Sequence, residues 1–211
     1  MTKVKICGVT RLEDARFCAA AGADFLGFIQ HTGSARFVEP ALVKEILAWV
    51  SGPTPVGVFV DETAQAVNAR CADVGFQMAQ LHGSETPETC AAVTVPVVKA
   101  IRVTHDASAE QVLALAAPYL GVVDALLLDT HHTSLFGGTG ESFNWRVARA
   151  LTAEADVFLA GGISAANVAE AIHTMRPYAV DLSSSVEESP GVKDLDRLAD
   201  FFDAFRAATA T

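Results

Sequence analysis

The sequence contains no basic run, and it has too few basic residues to attract a polyanion. Its 15 Lys and Arg stand against 25 Asp and Glu, a formal net charge of −10. Such a surface repels a phosphodiester backbone, so no nucleic-acid partner is expected. Long hydrophobic runs are missing too. No apolar stretch approaches the ~20 residues of a membrane-spanning helix, and Met1-Thr2-Lys3-Val4-Lys5 enters a strand pattern without a leader-like segment. The expectation is a cytoplasmic protein with no membrane contact. Cysteine is sparse: Cys7, Cys18, Cys71 and Cys90 include no pair at metal-ligand spacing. A chain of 211 residues can bury a core without disulfide staples, so reduced thiols are expected. His82 and the pair His131-His132 have no carboxylate or thiolate partners at ligand spacing, and no metal is expected. There is no early Gly-x-Gly-x-x-Gly, the mark of a dinucleotide fold, and no other cofactor motif.

What the sequence does have is short apolar runs at regular intervals. Hydrophobic residues make up 51%, charged residues only 19%, and mean hydropathy is +0.31, as expected of strands covered on both faces by helices. Strand patterns fall at residues 4–9, 25–30, 56–60, 76–81, 95–103, 125–128, 157–160 and from 179 onward. Helical patterns lie between them at 11–22, 40–50, 62–74, 87–93, 109–120, 144–153 and around 167–172, with a last helix at 193–208. The longest loop spans 130–143. No linker or composition shift divides the chain. Strand and helix alternating eight times predict a parallel sheet with right-handed crossovers, and eight units favour closure. The predicted fold is α/β: a single-domain (β/α)8 TIM barrel over residues 1–211.

In such a barrel, chemistry belongs at the C-terminal ends of the strands, and the last two loops commonly cradle phosphate. The stretch from Asp156 to Gly191 fits that role. A buried run, Val157-Phe158-Leu159-Ala160, leads into Gly161-Gly162 and then a helical pattern. A second run, from Ala179-Val180, breaks into Asp181-Leu182-Ser183-Ser184-Ser185. Each presents backbone N–H groups to an anion. Because the net charge repels an anion, fixed dipoles and one or two placed arginines must do the binding. The other strand ends carry Cys7-Gly8, Arg36, His82, Arg102 and Asp129. A strand cysteine is ordinarily a small buried hydrophobe, but Gly8 admits a close approach at the mouth. Asp129 closes Leu126-Leu127-Leu128, where desolvation raises a carboxyl pKa unless it is paired. A cap is the plain alternative; an acid able to donate a proton is the functional one. A thiol and a carboxyl on different strands suit two proton transfers on one bound sugar.

These residues carry a resemblance. Lys5-Ile6-Cys7-Gly8-Val9-Thr10 resembles the opening of the phosphoribosylanthranilate isomerases of tryptophan biosynthesis, and the likeness continues in order along nearly the whole chain. It includes Gly57-Val58-Phe59-Val60, Gln80-Leu81-His82-Gly83 and Leu128-Asp129-Thr130. Gly137-Gly138-Thr139-Gly140-Glu141 through Trp145, Leu159-Ala160-Gly161-Gly162, Val180-Asp181-Leu182-Ser183-Ser184 and Pro190-Gly191-Val192-Lys193-Asp194 complete it. The resemblance implies a barrel of the ribulose-phosphate-binding type and a cofactor-free Amadori rearrangement of a phosphorylated sugar–anthranilate, by a monomer or homodimer. It implies Asp129 as general acid and Cys7 as general base, with Arg36 pairing the anthranilate carboxylate. His82, Gly138, Gly140 and Asp181 would line the substrate, and Gly161, Gly162, Ser183, Ser184 and Ser185 would hold the phosphate.

One departure bears on binding. The family usually has glycine where this chain has Ser185, and a serine can offer the same N–H only if its φ is negative. The alternatives are a non-catalytic or substrate-shifted sugar-phosphate-binding barrel, or another phosphate-barrel enzyme such as the histidine-pathway isomerase. That relative is a two-fold repeat, and residues 1–100 show no clear echo in 101–211.

Overall fold

The computed structural model describes residues 1–131 and 144–210. Eight parallel strands form a closed barrel: β1 (Lys3–Cys7), β2 (Phe25–Ile29), β3 (Thr54–Phe59), β4 (Met78–Leu81), β5 (Val97–Thr104), β6 (Ala125–His131), β7 (Asp156–Leu159) and β8 (Ala179–Leu182). Closure comes from β1 pairing with both β2 and β8, with Lys5 beside Phe25 on one side and Asp181 on the other. Around it lie α1 (Leu12–Ala21), α2 (Pro40–Leu47), α3 (Ala64–Val74), α4 (Pro87–Ala91), α5 (Ala109–Ala116), α6 (Val168–Met175) and α7 (Leu195–Thr209). Local chemistry sets several helix ends. Thr63, Thr86 and Asp194 accept from first-turn N–H groups, and Ser108 with Gln111 forms a reciprocal capping box.

Two layers of apolar side chains result from the strand period of two. Outward residues such as Ile6, Leu26, Leu81, Leu128 and Leu159 pack under the helices. Inward residues Phe25, Val56, Val98, Ala100, Ala125, Leu127 and Phe158 fill the barrel floor. Phe25 and Phe158 meet edge-on at 5.2 Å, an aromatic contact worth about 1 kcal/mol beyond area burial.

The structure departs from the sequence expectation in four places. β6 runs through His131 instead of stopping at Leu128, because the long β5 supplies a ladder pairing Arg102 with Asp129 and Val103 with Thr130. Residues 145–153 form a 3₁₀ segment rather than an α-helix; Trp145, Ala148 and Leu151, three apart, are its buried face, matching the 3₁₀ period. α5 ends at Ala116 and passes into a 3₁₀ turn containing Pro118, which cannot continue an α-helical ladder. Lastly, α7 begins at Leu195. Lys193 belongs instead to a small antiparallel pair, β9 (Glu187–Ser189) and β10 (Val192–Lys193), folded over the end of β8.

Candidate active site

The inward columns change character as they climb. Val98 and Ala100 lead to Arg102, Ala125 and Leu127 to Asp129, Met78 to Gln80 and His82, and Ala179 to Asp181. Each step is two residues, so an apolar floor and a polar mouth follow from one alternation. On β1 the inward pair is Lys5 and Cys7. Gly27 on β2 makes room for both: a Cβ there would lie 2.9 Å from Cys7 Sγ and 3.2 Å from Lys5 Nζ.

Lys5 is fully buried and donates to Asp181 Oδ1 at 2.9 Å. Burial works to lower its pKa, but Asp181 and then Cys7 outweigh that, and the ammonium is held charged. Burial pushes the Cys7 thiol up, opposed first by the Lys5 charge. Asp181, 8% exposed, is likewise pushed up by burial against the pull of Lys5. Asp129, by contrast, has a side chain 33% exposed. The desolvation expected there falls on Asp181 instead, because β6 continues past Asp129 and carries it to the rim. Asp129 Oδ2 lies 3.5 Å from His82 Nε2, and Gln80 Nε2 holds the other ring nitrogen at 2.8 Å.

Arg36 is engaged. Its Nε lies 3.0 Å from both carboxylate oxygens of Glu187 and its Nη2 lies 2.7 Å from Oε2. Burial alone would raise the Glu187 carboxyl, but these bonds and Lys193 bring it below the usual range. Lys193 Nζ donates to Glu187 Oε1 (2.9 Å), Cys7 O (2.6 Å) and Ser183 O (3.3 Å), tying the β9–β10 hairpin to the first and eighth strand ends. Gly8, at φ 75°, closes this corner. A Cβ would meet Arg36 Cδ at 2.8 Å and Ser183 Oγ at 3.2 Å.

The seventh and eighth loops adjoin. Gly161 and Gly162 have φ of 79° and 78°, and a Cβ on Gly161 would strike Thr130 Oγ1 at 2.4 Å. Ser184–Val186 is a 3₁₀ turn entered from Ser183. Ser185 is not among the positive-φ residues, so its backbone is ordinary for serine. Its Oγ is buried and has no hydrogen-bond partner among the described residues. Gly138 and Gly140 lie outside the described residues. Among the described residues, no group of three His, Cys, Asp or Glu side chains is arranged to hold a metal. A cavity of about 310 Å³ lined by His105, Trp145, Asn167 and Glu170 has none of these groups in its lining, although Asn167 donates to the Gly162 carbonyl at 2.8 Å.

The structure therefore brings together Cys7, Asp181, Arg36 and Ser183, and pairs His82 with Asp129 close enough for both to act on Asp181. Sequence reasoning did not single out Lys5, Gln80, Glu187 or Lys193. The signal available for Lys5 was its position two residues before Cys7, which puts both on one face. Glu187 and Lys193 gave none, since 193 fitted the start of a helix.

Fold and mouth together define a (β/α)8 barrel with titratable side chains and adjoining glycine and serine loops at one end. The sequence profile of the family described as N-(5'-phosphoribosyl)anthranilate (PRA) isomerase matches residues 4–204. The chain belongs to that family. A relative from Pelobacter propionicus, named N-(5'-phosphoribosyl)anthranilate isomerase, is 40% identical over 205 residues, covering 95% of this chain and 94% of its own. The phosphoribosyl anthranilate isomerase structure from Thermotoga maritima superposes with a TM-score of 0.89 at 34% identity, covering 98% of this chain and 100% of its own. A further isomerase structure, solved in complex with reduced 1-(o-carboxyphenylamino)-1-deoxyribulose 5-phosphate, gives 0.86 at 33% identity, with coverage of 98% and 100%.

Proposed function

We propose that this chain, acting as one barrel domain in the cytoplasm, isomerises N-(5-phospho-D-ribosyl)anthranilate to 1-(2-carboxyphenylamino)-1-deoxy-D-ribulose 5-phosphate, a step of tryptophan biosynthesis. The observation that carries this reading is the inward placement of Cys7 and Asp129 at the mouth of a barrel of this family, beside a loop pair suited to phosphate. Asp129, at the rim and partly solvated, protonates the furanose ring oxygen as the C1–O bond breaks. The aniline nitrogen supplies the electron pair, leaving an open-chain iminium. Cys7, as thiolate, removes the C2 proton; the C–H pair forms the C1–C2 double bond and neutralises the nitrogen. The enolamine then tautomerises to the ketone. Holding the sugar between the two groups supplies the orientation that makes both transfers effective.

Binding falls to three further sets of groups. Gly161, Gly162, Ser183, Ser184 and Ser185 receive the phosphate, and the orphaned Ser185 hydroxyl supports this, since an anion gives it a partner. Arg36 meets the anthranilate carboxylate with the part of its guanidinium that Glu187 leaves unused. Gly138, Gly140, His82 and Asp181 complete the substrate surroundings.

A fluorescence assay following loss of phosphoribosylanthranilate tests the assignment. Asp129→Asn is expected to lower kcat by about 10²–10⁴-fold, the range for a lost general acid, and Cys7→Ser to cripple turnover with little change in melting temperature. Activity of either variant within a few-fold of the parent would remove that residue from the mechanism. A parent with no turnover but phosphate-dependent melting would leave a sugar-phosphate-binding barrel without catalysis.

A further inference from the structure

Three lysines are buried in this barrel, and they differ in how their donors are used. An ammonium has three N–H groups. Lys99 spends all three on Leu81 O, Gly83 O and Glu85 Oε2, at 3.3, 2.7 and 2.9 Å. Lys193 spends its three on Glu187, Cys7 O and Ser183 O. Lys5, at 0% exposure, has a single oxygen acceptor among the described residues, Asp181 Oδ1. The space left by Gly27 is lined by its Nζ and by Cys7 Sγ together. A buried charge this weakly satisfied is costly unless it serves a second negative group.

We propose that Lys5 is a positioning residue of the reaction: its ammonium, shared between Asp181 and Cys7 inside the barrel, is what allows the Cys7 sulfur to act as a base. This rests on the reading of Cys7 as the general base. The Cys7 thiol is buried, so losing its proton needs a compensating charge close by. From β1 that charge is Lys5; β2 offers only Gly27. From β8, Asp181 competes for the same ammonium, and Asp129 and His82 in turn act on Asp181. From the hairpin, Lys193 contributes its charge while bonded to the Cys7 carbonyl, and Arg36 faces the same corner held by Glu187. Lys193 and Arg36 are committed elsewhere. Lys5 alone is free to follow the proton: when Cys7 is a thiol it serves Asp181, and when Cys7 is a thiolate it serves both. Removing C2–H converts thiolate to thiol and returns Lys5 to Asp181, so no charge is stranded in the floor.

The assignment makes two predictions of opposite sign. In the full chain without substrate, alkylation of Cys7 by iodoacetamide, located by mass spectrometry and followed against pH, reads the thiolate fraction. Lys5→Met is expected to move the titration midpoint to higher pH, slowing alkylation about tenfold or more below it, because an opposite charge beside an acid ordinarily shifts it by a unit or more. Lys5→Arg retains the charge and is expected to fall between Lys5→Met and the parent. Asp181→Asn, which leaves the ammonium to Cys7, is expected to move the midpoint to lower pH, and the basic-going limb of kcat/KM with it. Should Lys5→Met not fold, Asp181→Asn still decides, since it keeps both Lys5 and Cys7. A midpoint unmoved in either variant, or moved in the other direction, overturns the proposal. Cys7→Ser separates the two readings. If it abolishes turnover while the midpoint ignores Lys5, this inference fails alone. If the midpoints move as stated and Cys7→Ser remains active, the charge assignment stands and the base is another group.

Discussion

Two buried lysine–carboxylate pairs sit on opposite sides of the barrel, one where β8 meets β1 and one at β5 and the turn after β4, and they are built for different ends. Lys99 and Glu85 form a closed clasp. Both are almost wholly buried, Lys99 has three oxygen acceptors, and Glu85 takes the N–H of Asp61 at 2.9 Å and of Gly83 at 3.0 Å. The clasp fixes the turn that follows β4 and so the backbone beside His82. It even holds Asp61 at a φ of 53°, a conformation costing a non-glycine residue on the order of 1 kcal/mol. Lys5 and Asp181 are as deeply buried, yet each retains hydrogen-bonding capacity among the described residues. One pair is saturated and structural. The other is unsaturated and faces a thiol. A buried ion pair alone does not distinguish one role from another; these two pairs differ in how many of their donors are satisfied.

The largest effect that would test this contrast is on stability. Lys99→Met leaves the buried Glu85 without its partner, which is expected to cost about 3–5 kcal/mol, or on the order of 10 °C in melting temperature for a chain of this length. Turnover of the folded fraction is expected to fall far less than in Lys5→Met. If Lys99→Met melts like the parent, the clasp is not structural and the comparison breaks.

A smaller effect concerns Glu187, the clasp on the other side of the mouth. Its carboxyl is held below the ordinary range by Arg36 and Lys193. A depressed carboxyl stabilises the fold above its unfolded value and loses that contribution as pH falls through its folded value. In the Glu187→Gln variant that pH dependence is absent, so the melting temperatures of parent and variant are expected to converge below about pH 4. Thermal scans at descending pH check this, and a constant gap would mean that Glu187 is not charged in the fold.

The smallest expected change lies in the eighth-strand loop, between clasp and mouth. Because Ser185 Oγ is buried without a partner among the described residues, Ser185→Ala is expected to alter stability by less than about 1 kcal/mol in phosphate-free buffer. The same variant is expected to lose part of the rise in melting temperature that phosphate gives the parent. An undiminished rise would take the hydroxyl out of the cradle.

Much of this was legible before any fold was known. Cys7, Asp129 and His82 stand where apolar strand patterns turn polar, so their location at one end of the barrel could be read directly. Gly161-Gly162 announced a turn that both structure and packing require. Other features were not local. Asp129 reads as desolvated from three leucines, but strand pairing with β5 carries it to the rim, while Asp181, which follows only Ala179-Val180, is the one truly buried. Arg36 reads as a free fork, and nothing nearby in sequence reveals that Glu187 already occupies one edge.

The sequence by itself determined the alternation of eight strands with helices and, through the period of two, which residues could line one interior. That information is local, because side-chain direction along a strand is fixed by backbone geometry. Only the tertiary structure decided which of those residues meet. Lys5 and Asp181 are 176 positions apart, and Arg36 and Glu187 are 151 apart. They are joined by the register in which β8 closes on β1 and by a hairpin folded over that seam. No periodicity encodes such a register; it is set by how the whole barrel packs, and the charge balance around the thiol is set with it.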